Sequence, residues 1–476
     1  MALRPGNYID GAWEAGTGSG DGITVLDSAS ATVVETLRPA GADQLERAVA
    51  AARRAQREWS AVPVPERVAF LRRLADRLAA REDELAAVMS KEVGSTLAFS
   101  RSVQVGLSIA TIRGTADALA ELPLDERVDN VTVVREPVGV VGAITPWNYP
   151  IYQVVAKLAP ALAAGCAIVV KPSQVAPLSS VLLFEEIEAL GLPAGTANLL
   201  TGTGRVIGEA LVAHPDVDMI SFTGSTEAGA RIAATAAATV KRVALELGGK
   251  SASVVLDDAD VARSVRGTLG SCFSNGGQTC SALTRLVVPR SLQTEVEAEI
   301  RAAVAEVVVG DPSDPRTVVG PMASAEQRET VNSYIELGLS EGARLLAGGI
   351  SDDPGGRSGG GGYYVTPTVL TDVKSGMRVA QEEIFGPVLV VIPVDDTEEA
   401  VEVANDSEYG LSGAVWSGDE DRAVAVARRI RTGQVAVNGG AFSARAPFGG
   451  VKKSGNGREL GRYGLEEYFE YKAIRL

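Results

Sequence analysis

From Val138 to Leu256 the chain repeats one pattern, in which a short apolar run rich in β-branched residues alternates with more polar sequence. The runs are VGVVGAIT, CAIVVKPS, TANLLTG, MISFTG, RVALEL and SASVVL, mostly separated by enough residues for a crossover helix. Apolar runs of this length at this spacing read as strands buried on both faces of a parallel sheet. The expectation is a doubly wound α/β domain, a fold in which ligands sit beyond the carboxyl ends of the strands. Residues that directly follow a run are therefore the first place to look for chemistry.

The pattern resumes further on. RLVVP, a helix over about 291–307, a helix in SAEQRETVNSYIELGLSEGA, then YVTPTVL, VLVVIPV, EEAVEVANDS and GAVWS predict a second α/β unit of similar size. At 476 residues, two or three folded units are expected. Upstream, residues 41–62 and 65–94 carry apolar residues at helical spacing and predict two amphipathic helices, with Leu71, Leu74 and Leu78 in the core. Pro65 stands near the start of the second and Gly94 at its end. The glycines from Gly355 to Gly362 read as a flexible surface connection, because no helix start follows them as a phosphate loop requires.

Charge and residue counts narrow the function. A net charge of −15 argues against a polyanionic partner such as nucleic acid. The longest apolar run, Val154 to Val170, is interrupted by Lys157, Pro160 and Gly165, so no membrane span is expected, and the first residues lack the layout of a secretory signal. Three cysteines cannot build a disulfide framework, which favours a reducing, cytoplasmic setting and free thiols. The single histidine, His214 in VAHPDVD, reads as a structural residue in a surface turn. Histidine-rich metal sites and Ser/His/Asp or Cys/His chemistry are thereby disfavoured, and no metal is expected.

Four places could carry chemistry. Cys280, in FSNGGQTCSALTR, follows Gly276 and Gly277, which let backbone approach a ligand; it reads as a nucleophile or as a core filler, the role that suits Cys166 and Cys272. Glu246 ends an apolar strand in LELGGK, where its pKa should rise toward that of a general base; the alternative is an ion pair with Lys250. Asn148 in ITPWNYP could donate to an oxyanion or cap the next helix. Lys171, just past a strand, and Gly224 and Gly229, around a turn into a helix, suit a dinucleotide, although no G-x-G-x-x-G is present.

Taken together and in order, TPWNYP, VVKPS, FTGSTEAG, LELGGK, GGQTC, EEIFGPV and PFGGVKKSGNGRELGRYGL resemble the aldehyde dehydrogenase superfamily, non-acylating and NAD(P)-dependent. The resemblance runs from YIDGAW to EEYFEYKAI. It implies two doubly wound parallel-sheet domains, one for the cofactor (1–118 and 138–247) and one catalytic (248–452). A small β oligomerisation element, 119–137 and 453–476, completes the chain, and a homodimer or a tetramer is implied.

By the same resemblance, Cys280 is the nucleophile, Asn148 with the Cys280 backbone N–H holds the oxyanion, and Glu246 activates the water that hydrolyses a thioester. Lys171 and Glu383 would hold the two riboses, Phe385 the nicotinamide side, Ser225 the pyrophosphate, and Trp147 the cleft wall. Ile144, Ser173, Gln174, Gly204, Phe222, Gly224, Gly229, Leu247 and Gly248 complete the implied cofactor contacts. Gln174 stands where NAD-preferring members often carry a glutamate that repels a 2′-phosphate, so NAD with some NADP tolerance is expected. Tyr149, Gln153 and Ala156, on one helix face, with Thr279, Ser281, Phe442 and Phe448, are the implied substrate wall. The small Ala156 suggests a bulky or long-chain aldehyde. Arg445 could grip a distal carboxylate or be an ordinary surface residue. Glu246 favours hydrolysis over acyl transfer to coenzyme A, which remains the alternative, with a non-catalytic dinucleotide-binding protein behind it.

Overall fold

The structure is a computed structural model and describes residue 4 and residues 6–351, 353–354 and 361–475. Five of the six predicted runs between Val138 and Leu256 become the parallel strands Val140–Ile144, Ala167–Lys171, Ala197–Leu199, Met219–Thr223 and Arg242–Glu246. They lie side by side in the order Arg242–Glu246, Met219–Thr223, Val140–Ile144, Ala167–Lys171, Ala197–Leu199. The chain thus builds outward on one side of Val140–Ile144 and then returns to its other side. That reversal opens a crevice beyond Ile144 and Thr223, at the carboxyl edge. A hairpin, Asn7–Ile9 with Ala12–Glu14, and the short strand Gly455–Asn456 extend this sheet to eight strands.

The sixth run, Ser251–Val255, starts a second sheet of seven strands. Its order is Arg344–Ala347, Thr368–Thr371, Val388–Val394, Leu283–Pro289, Ser251–Val255, Gly413–Trp416, Ala436–Val437, parallel except for the first. The α/β class and the two doubly wound sheets agree with the sequence. A third, antiparallel sheet pairs Asp125–Val128, Val131–Pro137 and Phe469–Arg475. It takes only its last strand from 453–476: Gly455–Asn456 joins the first sheet, and Leu465, Tyr468 and Phe469 enter the first core. Residues 119–121 close the helix Gly106–Glu121, because Leu119 is fully buried there.

Two local expectations need correction. The predicted helix over 65–94 is two helices, Val64–Ala80 and Glu82–Val93, divided at Arg81 (φ −112°, ψ 19°). Arg81 is drawn out of the helical path by hydrogen bonds to Glu84, Glu185 and Glu186, while Glu82, Asp83 and Glu84 provide the negative first turn of the second helix. Gly94, left-handed at φ 82°, ends it as expected. His214 is buried rather than superficial: Nε2 lies 3.2 Å from Glu46, and Nδ1 accepts from the Asp216 N–H at 3.1 Å. It fastens the turn before Met219–Thr223, a structural role. Most of the predicted glycine-rich connection, residues 355–360, lies outside the described residues. No helix among the described residues is long and apolar enough to cross a membrane.

One buried ion pair ties the C-terminal segment to the first sheet. Lys157, wholly buried on the helix Pro150–Ala164, donates to Thr223 Oγ1 at 2.7 Å and to Glu459 Oε1 at 2.5 Å. Its removal leaves a carboxylate unpaired in the interior, which typically costs about 3–5 kcal/mol. Lys157→Met should therefore lower the thermal midpoint by many degrees, and adding Glu459→Gln should recover part of the loss; an unchanged midpoint contradicts this account.

Candidate active site

The carboxyl edge of the first sheet meets the amino edge of the second, and the chemistry-bearing residues converge in the seam. Cys280 lies on the loop between the helix Val261–Phe273 and the strand Leu283–Pro289. Asn275 (φ 54°), Gly276 (φ 65°) and Gly277 (φ 77°) are all left-handed, which folds the loop back on itself. At Gly277 a Cβ would stand 2.1 Å from the Gly386 carbonyl carbon, so only glycine permits this approach. Asn148 donates from Nδ2 to the Gln278 carbonyl at 3.0 Å, and Asn275 donates from its own Nδ2 to the Asn148 carbonyl at 2.9 Å. Gln278 closes the loop, its Nε2 donating to Asn275 O at 3.1 Å and its Oε1 accepting from Ala323 N–H at 2.9 Å. Asn148 does not cap the next helix, whose N-cap position is Tyr149. Its amide faces the cysteine loop and keeps a second N–H for another acceptor.

A cleft of about 250 Å³ joins nine of the predicted residues: Trp147, Asn148, Gly224, Ser225, Leu247, Gly248, Cys280, Glu383 and Phe385. Trp147 and Phe385 meet edge to face, with ring centroids 5.4 Å apart. Phe385 is held at φ 59°, its carbonyl accepting from Gln327 Nε2 at 2.9 Å. Along the same edge, Ile144, Gly204 and Phe222 line a smaller hollow of about 190 Å³. Lys171 is buried beside it, Nζ donating to the carbonyls of Pro172 at 2.7 Å and Gly202 at 3.2 Å, and burial lowers its pKa to about 8. Ser173 Oγ accepts from Val175 N–H, and exposed Gln174 borders a wider hollow. Ser225 caps the helix Thr226–Ala237, accepting from Ala228 N–H at 3.3 Å. Gly229 has a packing role there, since a Cβ would come within 2.5 Å of Leu247 Cδ2. Glu383 accepts from Gly249 N–H at 2.9 Å, and burial pushes its carboxyl up to about 7. A narrow trough with an aromatic clamp, a helix N-terminus and two desolvated ionisable groups fits an elongated ligand bearing ribose and phosphate.

Glu246 does not line that cleft. Its carboxylate is buried toward Gly449, where a Cβ would stand 2.6 Å from Oε1, and neither oxygen has a hydrogen-bond partner among the described residues. Desolvation first, and then the charge of Glu459, raise its pKa well above the ordinary carboxylate range, against the pull of Lys157 and Arg458. The alternative pairing with Lys250 is absent: Lys250 is buried without a hydrogen-bond partner among the described residues, lowered to about 7 by burial and by Arg285.

On the other side of the thiol, Tyr149, Tyr152, Ala156, Leu411, Phe448 and Leu460 form an apolar cluster against which Cys280 packs. Tyr149 Oη and Thr279 Oγ1 share a hydrogen bond of 2.8 Å. Gln153 is buried nearby on the same helix, and Ser281 is half-buried next to the thiol. Phe442 is 51% exposed, edge-on to Phe448 at 6.2 Å. Arg445 lies 3.6 Å from Glu121, both exposed. Asn275, Gln278, Gln327, Lys157 and Glu459 were not anticipated from sequence; the only prior signal was an asparagine before two glycines, a residue that tolerates a left-handed backbone.

The whole chain has known counterparts. The aldehyde dehydrogenase family profile matches residues 13–474. This chain belongs to the aldehyde dehydrogenase family. It is 44% identical to 3-succinoylsemialdehyde-pyridine dehydrogenase of a Pseudomonas species, over 98% of this chain and 97% of that protein. It is likewise 44% identical to geranial dehydrogenase of Castellaniella defragrans, over 98% of each. Among solved structures, a cysteine-to-alanine mutant of aldehyde dehydrogenase C from Pseudomonas syringae, complexed with NAD+ and octanal, superposes with TM-score 0.96 at 45% identity, covering 99% and 97% of the two chains. Betaine aldehyde dehydrogenase of Staphylococcus aureus with NAD+ superposes with TM-score 0.96 at 38% identity, covering 99% and 95%.

The three thiols differ in access. Cys166 and Cys272 are buried and pushed up to about 12 by burial, whereas Cys280 is half-open. Burial, followed by the charges of Glu383, Glu246 and Glu459, raises the Cys280 thiol above its ordinary value, so without cofactor it is protonated at neutral pH. Alkylation of Cys280 by iodoacetamide should then climb about tenfold per pH unit between about pH 7 and 9, tracking the thiolate fraction. A plateau below pH 8 contradicts this assignment.

Proposed function

We propose that this protein oxidises an aldehyde to the carboxylic acid with NAD, through a covalent adduct on Cys280. The observation that carries the reading is the half-open thiol in the sheet seam, beside the Asn148 amide and the aromatic-walled cleft. Cys280 Sγ adds to the aldehyde carbon and its proton passes to solvent. The resulting oxyanion is held by the spare Asn148 N–H and the Cys280 backbone N–H, giving a thiohemiacetal. Bound NAD supplies the hydride acceptor that turns this adduct into a thioester. Lys171 and Glu383 would hold the riboses, the helix end at Ser225 the pyrophosphate, and Trp147 and Phe385 the nicotinamide side.

Glu246 takes the proton of the water that attacks the thioester, releasing the acid and the free thiol. A base must be unprotonated yet eager for a proton near neutrality, and desolvation of Glu246 works toward that balance. Because its carboxylate is withdrawn toward Gly449, a side-chain rotation must precede this step. The presence of a carboxylate here favours hydrolysis over transfer to coenzyme A. Glu246→Gln should give a stoichiometric burst of NADH followed by stalled turnover. Loss of the burst as well contradicts a role confined to hydrolysis, and unchanged turnover contradicts any role.

Gln174 keeps a hydrogen-bonding amide near the adenosine ribose and places no charge against a 2′-phosphate. kcat/KM should be higher with NAD than with NADP and measurable with both. A strong preference for NADP overturns this assignment.

The antiparallel sheet supports a homo-oligomer. Past Phe469 its C-terminal strand is exposed on both faces, with Tyr471 and Ile474 uncovered, and it lies at the sheet edge. Such an edge invites pairing with a second copy.

A further inference from the structure

Lys250 is a charged residue of the seam to which the reaction above gives no task. It stands between Gly249 and the strand Ser251–Val255, fully buried, and its Nζ has no hydrogen-bond partner among the described residues. Burying an ammonium without a partner is costly, and ionisable groups held in this way cluster at functional sites. The nearest anion is fixed by the same segment. Gly249 donates its N–H to Glu383 Oε1 at 2.9 Å, and a Cβ at Gly248 would collide with Glu383 Oε2. The backbone that carries Lys250 is thus laid along the Glu383 carboxylate.

The other groups around this pair are engaged elsewhere or uncharged. Besides Glu383, the charges that act on Lys250 belong to Arg285, Cys272 and Glu382. Arg285 donates to the carbonyls of Lys250, Val403 and Ala404 at 2.8, 2.8 and 2.9 Å. Burial pushes the Cys272 thiol up to about 12, so it is neutral at pH 7. Glu382 accepts from Tyr334 Oη at 2.7 Å and from Arg378 Nε at 2.6 Å. Glu383 is left as the anion open to Lys250. Seen from the carboxylate, Lys250 is the one cation among the described residues whose charge acts on it. The thiol of Cys280 and the phenol of Tyr409, which also feel Glu383, are both raised, first by burial, and stay neutral.

We propose that Lys250 is a positioning residue for the cofactor, whose ammonium keeps the Glu383 carboxylate ionised and able to accept from ribose hydroxyls. The inference rests on the ribose-holding role given to Glu383 above. Even with Lys250 in place, burial pushes the Glu383 carboxyl up to about 7. Near neutrality it is poised between an acceptor-only carboxylate and an acid that carries a proton of its own. Without the ammonium it climbs further, and the acceptor is lost.

The test is the Kd of NAD, measured by titration calorimetry at pH 7 and pH 9, for the wild-type protein, Lys250→Met, Glu383→Gln and the double variant. Methionine replaces the desolvated charge at nearly the same length, and Lys250→Gln supplies a second neutral side chain if the first variant does not fold. If Lys250 lowers the Glu383 pKa by about one unit, its loss cuts the ionised fraction at pH 7 from about one half to about one tenth, and Kd rises about fivefold. At pH 9 Glu383 is ionised with or without Lys250, and Lys250 itself, lowered to about 7, is uncharged, so wild type and variant should converge. In the Glu383→Gln background the lysine change should leave Kd nearly unaltered. An unchanged Kd at pH 7, an equal loss at pH 9, or an equal loss in the Glu383→Gln background overturns the role of Lys250 and leaves Glu383 as a ribose contact. A Kd that Glu383→Ala does not alter overturns that contact itself.

Discussion

The hydrogen bond from Asn148 Nδ2 to the Gln278 carbonyl joins the carboxyl edge of one sheet to the loop that feeds the amino edge of the other. Everything in the seam depends on it. Asn148 follows the strand Val140–Ile144, at the place where the first sheet reverses its winding, and Gln278 is two residues before the thiol. The reciprocal bond from Asn275 to the Asn148 carbonyl makes the contact two-sided and fixes the direction of the amide. Three successive left-handed residues, Asn275 to Gly277, are tolerated because this network over-determines the loop. Strain of this sort persists at a functional site only where the surroundings hold it in place.

Around this contact the protein removes charge from water instead of pairing it. Glu246, Glu383, Lys171 and Lys250 are all buried, and desolvation is the leading cause that raises the two carboxyl pKa values and lowers the two amine values. A conventional salt bridge between Glu246 and Lys250 would satisfy both and leave neither responsive. Keeping them apart costs stability, which the burial of the dense apolar cores offsets. The cysteine shares this environment: burial first, and then the charges of Glu383, Glu246 and Glu459, raise its thiol above the ordinary value.

Much of the architecture was legible in the chain itself. The runs from VGVVGAIT to SASVVL became strands because buried parallel strands need continuous apolar sequence, and Gly94 ended its helix because a left-handed cap favours glycine. The division at Arg81 was not legible, since the residues that draw it aside, Glu185 and Glu186, are about a hundred positions away. His214 looked superficial beside Pro215 and Asp216, yet packing with Glu46 buries it. The C-terminal stretch looked like one element, but its parts serve the first sheet, the first core and the small antiparallel sheet in turn.

For the site, the linear chain determined the reactive parts: a cysteine behind glycines, a glutamate ending an apolar strand, an asparagine after another strand. These are local facts of residue type and neighbourhood, which a sequence carries directly. Only the tertiary structure decided that the thiol lies at the amino edge of its own sheet facing the carboxyl edge of another. It alone placed the Glu246 carboxylate against Gly449, away from Lys250. The reason is physical: burial, unpaired oxygens and empty volume are set by residues far apart in sequence that meet only when two sheets close on one another.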